Sequence, residues 1–184
     1  VGYQAIRHRW RGMPVADGSK RGDFLTDEVC QPDVPLPIRR LNTLLHKKGR
    51  EVQPLNPGIK ELTELAFFFD YVPDESWVQY PVEWVVAKAR HAMCHAAENM
   101  PTYDIGIDFA DMIYLPLVYN LLSAEYELVV VDECQDMNAA QLLIARRICS
   151  GRICVVGDDR QAIYSWRGAD SSSLDRLKRE LQAE

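Results

Sequence analysis

The sequence predicts an α/β fold in two unequal parts: a helical first two-thirds, and a last third in which two apolar strands flank a helix. Three observations carry this. Between residues 36 and 123 apolar side chains recur at helical spacing. The period then changes: Glu127–Asp132 reads ELVVVD and Arg152–Asp158 reads RICVVGD, short β-branched runs. Between them Ala139–Cys149 has a helical pattern, with Gly151 placed to close it. Strand, helix, strand, with nearly continuous apolar strands, is the βαβ unit of a buried parallel sheet. Two strands are too few for a stable sheet, so the chain is expected to be a piece of a larger domain.

Element by element, Val1–Arg11 reads as the end of a helix with a basic face of Arg7, His8, Arg9 and Arg11. Residues 12–35 are loop-like, punctuated by Gly12, Pro14, Gly18, Gly22, Pro32 and Pro35. Leu36–Lys48 is a helix with Ile38, Leu41, Leu44 and Leu45 on one face, and Gly49 suits a left-handed terminus. Ile59–Tyr71 follows, with Ile59, Leu62, Leu65, Ala66 and Phe69 in register and Pro73 beyond. Val82–Asn99 carries the stripe Val82, Val85, Val86, Ala89, Met93 and Ala96. Asp108 can cap a helix running to Ser123, kinked at Pro116. A last helix spans Leu174–Leu181.

Composition excludes several classes. The 184 residues are 47% hydrophobic and 26% charged, so the chain is not a disordered one. No apolar run is long enough to span a bilayer, and residues 1–30 have no apolar signal core. The net charge of -6 is uneven: residues 1–50 hold 10 Lys and Arg against 5 Asp and Glu. The acidic total argues against a protein that coats nucleic acid non-specifically, while the basic first stretch leaves room for a local basic stripe. Five cysteines without a CxxC pair read as reduced thiols of the cytosol.

Candidate chemistry gathers at the ends of the two strands. Asp132 and Glu133 close the first strand, and Gly157, Asp158, Asp159 and Gln161 follow the second. Ligands of open α/β sheets sit outside the carboxyl ends of the strands. Paired carboxylates there suit a Mg²⁺–nucleotide site, one holding the metal's shell and the other orienting or deprotonating water. The bland alternative is that Asp132, Glu133 and Asp136 cap the next helix. Tyr164, Trp166 and Arg167 beyond suit base stacking and phosphate contact, or else the aromatics plug the core. His91, Cys94 and His95 lie on one helix face at spacing that zinc could use, but no fourth ligand is evident.

VVVDECQD followed by VVGDDRQAIYSWRGAD resembles motifs II and III of the UvrD/Rep/PcrA-type superfamily 1 DNA helicases. IDFADMIYL, at 107–115, is similar to the helix that leads those proteins from an inserted subdomain back to the motor core. GYQAI, at 2–6, is similar to residues just after their motif Ia. The resemblance covers 1–11 and 103–178. It implies a partial RecA-like P-loop NTPase domain 1A, residues 1–11 and 103–184, carrying a helical 1B insertion over 12–102. It also implies ATP and Mg²⁺ as cofactors, and single-stranded and partly duplex DNA as partner. The parent would be a 3′–5′ translocating enzyme in the cytoplasm, at the nucleoid if bacterial or phage. Asp132 would hold Mg²⁺ through water, Glu133 would be the general base, and Gln161 would sense the γ-phosphate. Tyr164, Trp166 and Arg167 would face the DNA, while Gln135 and Asp136 only support the site.

No GxxGxGKT loop occurs in this chain. The phosphate cradle is expected before Val1, and the second motor domain after Glu184. The segment alone is therefore expected to be inactive. The alternatives are a non-catalytic nucleic-acid-binding remnant of such a helicase, and a Mg²⁺-dependent nuclease using Asp132, Glu133 and Asp158.

Overall fold

The computed structural model describes residues 4–6, 12, 14–15, 20–52, 55, 58–69, 71, 78–98 and 105–158. Five helices build the first region: α1 (Lys20–Val29), α2 (Leu36–Val52), α3 (Ile59–Phe68), α4 (Val82–Glu98) and α5 (Phe109–Val118). The second region is β1 (Tyr126–Val131), α6 (Ala139–Ile148) and β2 (Cys149–Val155).

In the first region α4 is the hub and packs on α1, α2 and α3. Its inward face is mostly small or branched: Val85, Val86, Ala89, Ala92, Met93 and Ala96 are all buried. Small side chains let neighbouring backbones approach, and Asn42 of α2 reaches across to donate a hydrogen bond to the Val85 carbonyl (3.1 Å). Leu25, Ile38, Leu45, Leu62 and Leu115 complete a core fully removed from water. Ile59, which its spacing places on the apolar stripe of α3, is exposed instead.

Two expectations for this region are corrected. The loop expected over 12–35 contains α1. Its inward positions, at helical intervals, are Arg21, Gly22, Leu25, Thr26 and Val29. The burial is periodic but the hydrophobicity is not, so the pattern is hidden from a hydropathy count. Gly49 does not end α2, which runs on to Val52. A Cβ there would lie 2.5 Å from Met93 Sδ and 3.1 Å from Leu62 Cδ2, so Gly49 serves the crossing of α2 with α3 and α4.

Helix α5 is firmly delimited. Asp108 and Asp111 form a reciprocal capping box at its start. It ends at Val118, before the expected Ser123: Asn120 adopts φ 51°, and the Leu121 and Asn120 amides return to the Pro116 and Leu117 carbonyls (2.9 and 3.3 Å). This is the Schellman arrangement with asparagine in the left-handed position. Arg147 of α6 donates to the Leu117 carbonyl (2.7 Å) and ties the two regions together.

The strands pair in parallel, as expected, with Leu128 opposite Arg152 and Val131 opposite Val155. Gly151 does not close α6; β2 begins directly at Cys149 and contains it. A Cβ on Gly151 would come within 2.3 Å of the Glu127 carbonyl oxygen, where the register between Tyr126 and Leu128 is irregular. The expectation of a sheet buried on both faces is also corrected. Val129, Val131, Ile153 and Val155 are half-buried. Leu128 and Val130 on the opposite face are 57% and 61% exposed. One crossover helix covers one face of a strand pair. The terminal helix at 174–181 and the basic face at 7–11 lie outside the described residues.

Candidate functional site

The site is built where β1 ends. Asp132 and Glu133 are exposed there, and the chain turns at Glu133, whose φ of 52° and ψ of 44° are left-handed. For a residue with a Cβ that conformation costs about 1–2 kcal/mol. Such strain persists where surrounding contacts fix it, commonly at functional loops. The Glu133 amide donates to Asp132 Oδ1 (3.0 Å), which stabilises the turn locally. A short 3₁₀ turn, Cys134–Asp136, follows.

The second strand's continuation is fastened to this turn. The Val156 amide donates to the Val131 carbonyl (2.8 Å), and the Cys134 amide to the Val156 carbonyl (2.9 Å). Gly157 then passes so close that a Cβ would sit 2.4 Å from Gln135 Oε1 and 2.7 Å from Cys134 Sγ. Gln135 is buried under this crossing. Its Nε2 donates to Glu133 Oε2 (2.6 Å), and its Oε1 accepts from the Asp158 amide (3.0 Å). Burial pushes the Cys134 thiol up from its ordinary value, which suits packing rather than nucleophilic chemistry.

Asp132, Glu133 and the backbone of Asp158 thus share one hydrogen-bonded loop at the carboxyl end of both strands. The capping alternative fails, because α6 is capped by Asn138 and Gln141, which exchange reciprocal bonds of 2.9 Å. Gln135 and Asp136 were expected only as support, and Gln135 is the residue that joins the two motifs. The only sequence signal for it was its place inside DECQD. Gln161, Tyr164, Trp166 and Arg167 lie outside the described residues.

The zinc alternative gains nothing. His91 and Cys94 are exposed, and His95 faces Glu28 at 3.5 Å. No group of three or more His, Cys, Asp or Glu side chains among the described residues is placed to hold a metal ion. A groove of about 660 Å³ between α1 and α2 is lined by acids and bases alike, including Asp23, Asp27, Arg40 and Lys47, and by no residue of the carboxylate loop.

A second constellation was not foreseen. Inside the helical region Arg50 donates to both oxygens of Asp108 (3.1 and 2.8 Å) and to Asp111 Oδ1 (2.5 Å). Arg21 donates to Asp111 Oδ2 (2.9 Å) and to the Ala96 carbonyl (3.3 Å). Burial works against the Asp108 carboxylate, but Arg50 holds it below the usual carboxylate range. The network joins α1, α2, α4 and the capping box of α5.

The model of the UvrD/REP helicase N-terminal domain matches residues 60–182, more than half of the chain. The chain belongs to this family. It is similar to DNA helicase II of Rickettsia typhi, 36% identical over an 85-residue alignment that covers 41% of this chain and 13% of the relative. It is also similar to the ATP-dependent DNA helicase Rep of Buchnera aphidicola, 40% identical over 82 residues, 39% of this chain and 12% of Rep. The ATP-dependent DNA helicase PcrA of Bacillus subtilis is 35% identical over 79 residues, 38% of this chain and 11% of PcrA. The matches span about an eighth of these relatives' lengths. No solved structure gives a significant match. Among the described residues no helix is long and apolar enough to cross a membrane.

Proposed function

We propose that the segment is part of the motor of an ATP-dependent DNA helicase that couples ATP hydrolysis to 3′–5′ movement along single-stranded DNA and to duplex unwinding. One observation carries this: the DECQD turn and the backbone at Gly157–Asp158 after β2 form a single hydrogen-bonded loop at the carboxyl ends of parallel strands. Nucleotides bind at that end of an α/β sheet. In this reading the strands belong to a RecA-like domain 1A, residues 1–11 and 103–184, and residues 12–102 are an inserted helical 1B unit. Insertions leave and return at neighbouring points. In support, the Ile107 amide donates to the Pro14 carbonyl (3.0 Å), and Val15 bridges Ile107.

Exposed carboxylates are hard oxygen donors of the kind Mg²⁺ takes, with the rest of its shell coming from water and phosphate. Asp132 is the residue to hold it, through water. Bound there, the ion neutralises phosphate charge. Glu133 takes the proton of the water that attacks the γ-phosphorus as the bond to the ADP oxygen breaks. Gln161 senses the γ-phosphate, and Tyr164, Trp166 and Arg167 contact the DNA strand, with Trp166 stacking on a base. In a bacterial or phage setting this activity implies a cytoplasmic, nucleoid-associated place.

The test uses the full-length gene product. ATP hydrolysis stimulated by single-stranded DNA, and unwinding of a duplex with a 3′ tail over one with a 5′ tail, are expected. The isolated 184-residue segment should not hydrolyse ATP. DNA binding with no hydrolysis would instead establish a non-catalytic remnant, and Mg²⁺-dependent DNA cleavage without ATP a nuclease.

A further inference from the structure

We propose that Gln135 is a positioning residue that couples the general base to the strand-end segment running toward the DNA-facing residues. The inference rests on the helicase reading above. The carboxamide is bifunctional: Nε2 donates to Glu133 Oε2 (2.6 Å), while Oε1 accepts the Asp158 amide (3.0 Å). One planar group therefore fixes both the orientation of the base and the backbone that follows β2.

Three features show that this geometry is built in. Gln135 is only 2% exposed, so its polar head sits in place with little competition from water. Glu133 lies in the left-handed region, which turns its side chain back over a residue only two positions on. Gly157 leaves the space that Gln135 Oε1 occupies, since a Cβ there would meet that oxygen at 2.4 Å. Side chains of similar size do not match both ends. Glutamate keeps the acceptor for Asp158 but loses the donor and sets a second carboxylate against Glu133. Methionine keeps the volume and loses both bonds.

The consequence is mechanical. A displacement of the 156–158 segment, as when the chain beyond it engages DNA, moves Oε1, and the rigid amide carries that movement to the Glu133 carboxylate. Gln135 does not touch the reacting atoms. It sets where the base stands.

The two halves can be separated. Hydrogen exchange of individual backbone amides reads the Asp158 half without any catalytic assay. In Gln135→Met the Asp158 amide should exchange at least about tenfold faster. The Val156 amide, bonded to Val131, should stay protected. In Gln135→Glu the Asp158 amide should stay protected. Steady-state ATP hydrolysis by the full-length protein reads the other half. Both variants should lose about tenfold or more in kcat, with KM for ATP changed by less than about threefold. DNA stimulation should fall further in Gln135→Met than in Gln135→Glu, because only the former cuts the link to 156–158. Circular-dichroism melting confirms that each variant is folded. Unchanged Asp158 exchange in Gln135→Met, or full kcat in folded Gln135→Glu, overturns the proposal. A wild-type protein that hydrolyses no ATP overturns the helicase reading instead, and exchange still decides the Asp158 half.

Discussion

Arg50 meets Asp108 and Asp111 almost entirely out of reach of water, whereas Asp132 and Glu133, directly past the end of β1, stand in the open. Both clusters contain two carboxylates in a short stretch of chain, DFAD in one and DE in the other. The first is closed by guanidinium groups from α1 and α2. The second is ordered by backbone amides and one carboxamide, which leaves carboxylate edges free for a cation and water. Charges that partners neutralise inside the protein hold helices in place. Charges oriented without a counter-ion are available to a ligand. The helical region also has its own core, whereas the strands have a small cluster around Cys134 and Leu142 and one open face.

The sharpest way to break this comparison is to neutralise one carboxylate of the open cluster. Glu133→Gln in the full-length protein should lower kcat for ATP by about 10²–10⁴-fold, the range for loss of a general base. Binding of a fluorescent ATP analogue should persist, because Asp132 remains. The melting temperature should hardly move, because Glu133 is exposed. Near-normal turnover would remove Glu133 from the role of base.

The opposite change belongs to the closed cluster. Arg50→Ala strands the buried Asp108, leaves Asp111 with Arg21 alone, and should destabilise the helical region by about 3–5 kcal/mol, measured by urea unfolding. A loss below about 1 kcal/mol would show that water reaches Asp108 and Asp111. In that case the contrast between the clusters would collapse.

A pH series sharpens the contrast further. His46 is buried beside the network, with Nε2 3.1 Å from Thr26 Oγ1. Burial, then the charge of Arg50, lowers its pKa from 6.5 to about 3, against the opposite pull of Asp108. Folding therefore favours the neutral ring, and the unfolded chain takes up the proton first. The contribution to stability is complete above pH 6.5 and is lost progressively as pH falls toward 3. The slope approaches about 1.4 kcal/mol per pH unit, or about 2 kcal/mol between pH 6.5 and 5. His46→Gln should flatten that part of the curve, and an unchanged slope would assign it to other groups.

What the sequence made legible divides along the same line. The parallel strands, the carboxylates at their ends and the capping role of Asp108 followed from local pattern, because period, strand ends and caps are written in neighbouring residues. The Arg21–Asp111 and Arg50–Asp108 pairs join residues 90 and 58 positions apart, and no local pattern announces them. For the same reason α1 was hidden: its inward Arg21 and Thr26 have partners supplied by α5 and α2. The glycines misled in one consistent way. Gly49 and Gly151 stand where the pattern expects terminators, the common use of glycine after a helix. Both instead admit a neighbour from elsewhere in the fold.

Gly49→Ala is the smallest effect expected, and it tests that last point. Alanine should favour the interior of α2 by about 1 kcal/mol through helix propensity. Against this, the new Cβ lies 2.5 Å from Met93 Sδ and 3.1 Å from Leu62 Cδ2. Overpacking of this kind costs about 1–3 kcal/mol. Met93 is flexible and can give way in part, so the net should be a destabilisation of about 1 kcal/mol. Gly49→Ala paired with Met93→Ala should recover the difference, because the truncated side chain clears the space. Urea unfolding of the two single variants and the double variant measures that coupling. A stabilised Gly49→Ala single variant would mean that the α2–α4 crossing is looser than these contacts require, and that Gly49 is only a weak point in a helix.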